Sequence, residues 1–206
     1  MDTAFLITGF VTLFVIIDPI GLTPMFVALT QGMASKRRRS IAFRAVIVAF
    51  FVLSLFTVFG EAVLGFVGIS MPAFRIAGGL LLFLTALDML FQRREKRRED
   101  QADDEDHQDD PSVFPLGIPL IAGPGAIATM ILLAGQQPGY AGIALVLGIM
   151  VSVLVIVFLL FMTAGWLEKA LGKTGISVVT RLLGMLLSAL AVQFVLDGLR
   201  AFGFAA

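Results

Sequence analysis

Apolar residues run almost unbroken through six stretches of this chain, residues 4–31, 41–64, 72–91, 113–133, 141–165 and 177–202. Polar residues fall in the short gaps between them and in one hydrophilic segment, 92–111. About 20 apolar residues cross ~30 Å of hydrocarbon as a helix, so each stretch predicts a membrane span. Two of the six are interrupted. The first carries Asp18-Pro19-Ile20-Gly21-Leu22-Thr23-Pro24 and the fourth Pro119-Leu120-Ile121-Ala122-Gly123-Pro124-Gly125, each with two prolines five positions apart. Proline lacks an N–H and clashes with the preceding turn, which predicts that both helices break about halfway across. Irregular backbone at membrane depth is tolerated only where protein or a water-filled cavity satisfies it. Paired interruptions in the two halves of a hydrophobic chain point to a transporter's binding site.

Composition agrees with the pattern. The hydrophobic fraction is 58% and charged residues make up 15%; mean hydropathy is +0.97. Soluble domains hold roughly 45–50% apolar residues, so the fold class is all-α, a polytopic membrane protein whose first partner is the lipid bilayer. The formal net charge is zero, which argues against nucleic acid as a partner. There is no cysteine and one histidine, His107 in the hydrophilic segment. Thiolate sites and histidine clusters for a metal or haem are thereby excluded, and no cofactor is expected. The sequence lacks a Walker motif, an H-E-x-x-H and a G-x-S-x-G, so no enzyme is expected. Met1-Asp2-Thr3 has no basic region ahead of the first apolar run, and reads as the start of a retained helix and not as a signal peptide.

Basic residues set the expected orientation. Lys36, Arg37, Arg38 and Arg39 lie between spans one and two; Arg93, Arg94, Lys96, Arg97 and Arg98 follow span three; Lys169 and Lys173 precede span six. With six crossings all three clusters share one face, the cytoplasmic one, and both termini face outward. The opposite gaps, 65–71 and 135–140, hold no Lys or Arg. A re-entrant hairpin over residues 4–31 would put the first cluster opposite the second, so the charges favour a broken crossing. The acidic half of the segment, from Glu99 to Asp110, does not weigh against this, and its length and charge predict a solvated cytoplasmic linker.

The chain also repeats itself. Residues 61–70 read EAVLGFVGIS and residues 168–177 read EKALGKTGIS, identical at six of ten positions. With a one-residue shift Arg75 and Gly78 match Arg181 and Gly184, and Asp18-Pro19 corresponds to Gly123-Pro124. This predicts two three-helix repeats, 1–91 and 112–206, joined by the linker 92–111. Three is odd, so the second repeat is inverted in the membrane. In such proteins alternating access is a rocking of one repeat against the other.

Candidate residues follow from depth and chemistry. Asp18 sits ~21 Å along its helix, near the midplane, where a carboxylate is costly and a functional candidate by default. An Asp before Pro is also a helix N-cap before an N1 proline, so Asp18 either caps alone or caps and also binds an ion or a proton. Pro19, Gly21 and Pro24 shape the first break. Pro119, Gly123, Pro124 and Gly125 shape the second, where free N–H groups and the helix dipole suit a carboxylate. Thr23 and Thr129 offer hydroxyl ligands, against the simpler reading that each bonds back to its own helix. Arg75 and Arg181 form a gate pair or bind a substrate carboxylate, or else snorkel or pair with Glu61 and Glu168. Gln193 is a further candidate in span six. Asp88, Asp197 and Arg200 lie near span ends and read as interfacial. A small-molecule substrate with H⁺ or Na⁺ coupling fits this set; the alternatives are a non-transporting membrane scaffold or stress-related component, or a channel.

Two segments, Asp18-Pro-Ile-Gly-Leu-Thr-Pro-Met-Phe26 and Pro115-Leu-Gly-Ile-Pro-Leu-Ile-Ala-Gly-Pro-Gly-Ala-Ile127, resemble the MarC family of integral membrane proteins. The resemblance covers essentially the whole chain. It implies a bacterial inner-membrane protein with six spans, some of whose relatives are regarded as neutral amino acid transporters and others carry a historical antibiotic-resistance label. The acidic linker is this chain's own elaboration. Substrate, direction, coupling ion and oligomeric state stay open.

Overall fold

The computed structural model describes residues 3–91, 93, 110–137 and 139–204, without the side chains of Glu168, Lys169 and Lys173. Most of the 92–111 linker therefore lies outside the described residues. So do the Glu168, Lys169 and Lys173 side chains that enter the repeat and orientation arguments. All regular structure among the described residues is helical: α1 (Thr3–Ile17), α2 (Pro19–Leu29), α3 (Ser35–Val67), α4 (Met71–Leu90), α5 (Ser112–Ile121), α6 (Pro124–Gln136), α7 (Tyr140–Met162) and α8 (Ala164–Ala201). Five runs are long and apolar enough to cross a membrane, and the bent pair α5–α6 is a sixth if its two halves form one span.

The interruption in span one is smaller than expected. Residues 19–24 are helical and Pro24 lies inside α2; the break is confined to Asp18, at φ 56°, ψ 63°. The hydrogen-bond ladder explains this. Asp18 N–H still donates to the Phe14 carbonyl (2.9 Å) and Leu22 N–H to the Asp18 carbonyl (2.9 Å), so one residue flips without unwinding its neighbours. Pro24 then removes a single ladder bond, a loss that packing in a membrane helix tolerates. Thr3–Leu29 accordingly runs on as one 27-residue span, which rules out the hairpin.

The interruption in span four is larger than expected. Its first half, α5, is not a regular helix: Phe114 and Ile118 have extended dihedrals ahead of Pro115 and Pro119. Its turns are wide, with Leu116 N–H reaching the Pro111 carbonyl and Ala122 N–H the Gly117 carbonyl. α5 and α6 meet at 56°. Two prolines four apart deny this segment the donors that a tight ladder requires.

Basic residues predicted to lie in a loop are instead helical. Lys36–Arg39 form the first turns of α3, which is 33 residues long, or ~50 Å at 1.5 Å per residue. That exceeds the ~30 Å of hydrocarbon, so the charged turns project beyond it. Span five ends at Met162, short of the expected 165. In α8, Gly172 (φ 62°, ψ 174°) redirects the chain, so that Thr174–Ala201 forms span six.

The most extensive interface is α4 against α8, followed by α3 against α5 and α7. Glycines allow the close approach: a Cβ on Gly79 would stand 2.8 Å from the Ala191 carbonyl, and one on Gly198 3.1 Å from the Pro72 carbonyl. Small residues serve this purpose in bilayers, where lipid is as apolar as leucine and fit replaces the hydrophobic effect as the glue. Near the ends of α2 and α7, buried Phe26 stacks on Phe161 with centroids 4.4 Å apart. Phe43, Phe51, Phe59, Leu84 and Leu159 stay exposed, as lipid-facing residues do. At the start of the second half, Arg44 pairs with Asp110 at 2.7 Å. The Ser112 side chain, its backbone N–H and Arg44 together hold the Asp110 carboxyl below the usual carboxylate range, against the opposing effect of partial burial.

Candidate functional site

Asp18 is fully buried, at 0% exposure, in the left-handed backbone region. A side chain normally pays for this conformation, and Asp is among the few that visit it routinely, because its short carboxylate bonds locally. Here the Asp18 Oδ1 accepts from the Gly21 N–H at 3.1 Å. Pro19, the first residue of α2, has no N–H to satisfy. The capping role is thus present in the structure.

The second break is built differently. Gly123 is the N-cap of α6 and contributes no side chain, although Ile127 N–H returns to its carbonyl at 3.0 Å. The N–H groups of Gly125 and Ala126 have no carbonyl within their own helix. Space requires glycine at position 123, where the obstacle is backbone, and position 125 is closed by a side chain. A Cβ on Gly123 would meet the Pro119 carbonyl at 2.6 Å, and one on Gly125 would meet Ile16 at 2.8 Å. The latter contact locates the two breaks relative to each other: the first turn of α6 packs on Ile16, two residues before Asp18.

The two threonines do not point their protons at a shared ligand. Thr23 Oγ1 donates to the Pro19 carbonyl (3.0 Å) and Thr129 Oγ1 to the Gly125 carbonyl (2.8 Å), so each offers only lone pairs elsewhere. Pro119 and Pro124 line an apolar cavity of about 510 Å³ together with Phe56, Val63, Leu81 and Ile127. Its wall is drawn from α3, α4, α5 and α6, and Asp18 is not part of it. Arg75 is half-buried and its Nε has no hydrogen-bond partner among the described residues. No ion pair joins it to Glu61 there. Arg181 is exposed. Gln193 is exposed on α8 and its Nε2 donates to Asp197 Oδ1 at 2.8 Å. It lines a separate cavity of about 230 Å³. Sequence reasoning missed Thr8 and Gln136, which share that cavity, and the Arg44–Asp110 pair, which joins residues 66 positions apart. Only the i, i+4 spacing of Gln193 and Asp197 carried a signal.

A helical membrane protein with two interrupted spans, one break holding a buried carboxylate and packed beside the other, is the class these features define. The chain matches the description "MarC family integral membrane protein" over residues 3–202, and it belongs to that family. It is 36% identical over 203 residues to the UPF0056 membrane protein YvbG of Bacillus subtilis, covering 97% of this chain and 96% of that one. The UPF0056 membrane protein MJ1677 of Methanocaldococcus jannaschii is 38% identical over 204 residues, with 97% and 98% covered. The UPF0056 membrane protein YhcE of Escherichia coli is 32% identical over 198 residues, with 93% and 90% covered. No solved structure matches the chain.

Proposed function

We propose that this protein is a secondary transporter of small neutral amino acids or similar metabolites in the bacterial inner membrane. It works by alternating access between two inverted three-helix repeats, without a cofactor or a catalytic step. The observation that carries the reading is Asp18, a fully buried carboxylate in a helix break, with the second break packed two residues away on Ile16. A zwitterion needs an acceptor for its ammonium and donors for its carboxylate. Asp18 supplies the first, or else holds a coupling H⁺ or Na⁺, and the first turn of α6 supplies the second. Desolvating either charge alone costs several kcal/mol, so the two breaks are useful together.

The packing pattern supports the rocking. Interfaces α1–α7 and α3–α5 correspond under the repeat, as do α2–α8 and α4–α6, while α4–α8 and α3–α7 each join equivalent spans. The test is counterflow in liposomes. Purified protein preloaded with unlabelled glycine or alanine is expected to accumulate the labelled amino acid transiently. Silence across a broad panel of neutral amino acids would favour the scaffold reading, and single-channel currents the channel.

Orientation is tested separately. The proposal puts both termini outside, so in intact cells a Tyr140→Cys variant is expected to react with a membrane-impermeant thiol reagent and a Ser35→Cys variant is not. Tyr140 is 95% exposed, and it is a better position than Gly139, whose φ of 90° strains any side chain. The inverse labelling pattern would turn the protein over.

A further inference from the structure

We infer that the cavity between α1, α6 and α8 is a binding site for a small molecule carrying an ammonium group, distinct from the two breaks. It lies at the end of the bundle where α1 begins and α6 and α8 end. Its volume is about 230 Å³, and Thr8, Gly9, Gln136, Gln193, Phe194 and Asp197 contribute to its wall. Drug-sized ligands occupy pockets of ≈ 300–1,000 Å³, so this one suits a molecule of only a few non-hydrogen atoms.

The chemistry of the wall selects charge. Among the described residues Asp197 is the one carboxylate of the wall, which it shares with two carboxamides and a hydroxyl. The carboxylate is oriented by Gln193 Nε2 at 2.8 Å. Arg200, 3.9 Å away and largely exposed, offsets part of the carboxylate's field from the solvent side, and the remainder acts on the cavity. An ammonium is met by Asp197, and a carboxylate on the same molecule is met by the amide N–H groups of Gln136. Phe194 gives the apolar remainder a wall. Gly9 also lines the cavity. Nine residues further along the same span lies Asp18, ~13 Å away at 1.5 Å per residue. The site is therefore a vestibule on the α1 side of the first break. Its role as an entrance rests on the transport reading; its charge selectivity does not.

The test uses the full chain in detergent. The protein has no cysteine, so a Thr8→Cys variant places a single reporter thiol in the cavity wall. A trimethylammonium-ethyl methanethiosulfonate is expected to label it about five-fold or more faster than the sulfonatoethyl reagent, after normalising to a free thiol, as a unit charge a few ångströms away dictates. Adding Asp197→Asn is expected to collapse that ratio toward one, and Asp197→Glu to keep it. Millimolar ethylammonium and alanine are expected to slow labelling, and propionate is not. Equal labelling by both reagents in the parent, a preference that survives Asp197→Asn, or protection by propionate as strong as by ethylammonium would each overturn the site. Charge-selective labelling with no counterflow in liposomes would leave the site standing and remove the transport reading. Counterflow without charge selectivity would do the reverse.

Discussion

An Asp18→Asn variant is expected to fold with near-parental thermal stability and to lose counterflow activity by at least about tenfold. Asparagine tolerates the left-handed backbone as aspartate does, and its carbonyl oxygen can take the Gly21 N–H that Asp18 now holds at 3.1 Å. The substitution therefore keeps the backbone conformation and the cap and removes the charge. A hydrogen bond to a charged group contributes about 1.5–3 kcal/mol, and each 1.4 kcal/mol is a factor of ten, which sets the size of the loss. Asp18→Ala is the structural counterpart. It sacrifices the cap, worth about 0.5–2 kcal/mol, and places an ordinary side chain at φ 56°, costing roughly 1–2 kcal/mol more. Its thermal midpoint should fall clearly where that of Asp18→Asn does not. Parental transport by Asp18→Asn would reduce Asp18 to a helix cap.

Gly79→Leu is expected to be the most damaging single change outside the breaks. The added Cβ would stand 2.8 Å from the Ala191 carbonyl oxygen and 3.0 Å from the Val195 nitrogen. These are backbone atoms, so α4 and α8 must separate along their most extensive interface, with a cost of about 1–3 kcal/mol or more. Gly148→Leu is the control. It too lies within a membrane helix, but nothing stands within 4 Å of its Cβ position, and it should melt with the parent. Thermal denaturation of the two variants in the same detergent compares them directly. Equal midpoints would mean that α4 and α8 do not pack as described.

Much of this molecule could be read from residue order. Six apolar runs become five helices long enough to cross a bilayer and one bent helix pair, because hydrocarbon accepts no unsatisfied backbone, which leaves the helix as the form an apolar chain of this composition takes. Asp18 before Pro19 announced a cap, and the cap is there. The threonines were legible as well, since a hydroxyl in an apolar medium finds the nearest carbonyl, four residues back.

The extent of each break was decided by tertiary structure. The two proline pairs read alike, yet residues 19–24 stay helical while α5 does not. Local sequence sets where a ladder bond is lost; the neighbours decide whether the ladder closes around it. The repeat shows the same division. Gly65 and Gly68 correspond to Gly172 and Gly175, but the positive φ falls on Gly68 in one copy and on Gly172 in the other. Glycine permits the left-handed turn at either place, and only packing selects which. The contact of Gly125 with Ile16, the pairing of Arg44 with Asp110 and the cavity shared by Thr8, Gln136 and Asp197 join residues far apart in the chain. Helical periodicity relates positions three and four apart, so these meetings belong to the packed bundle alone.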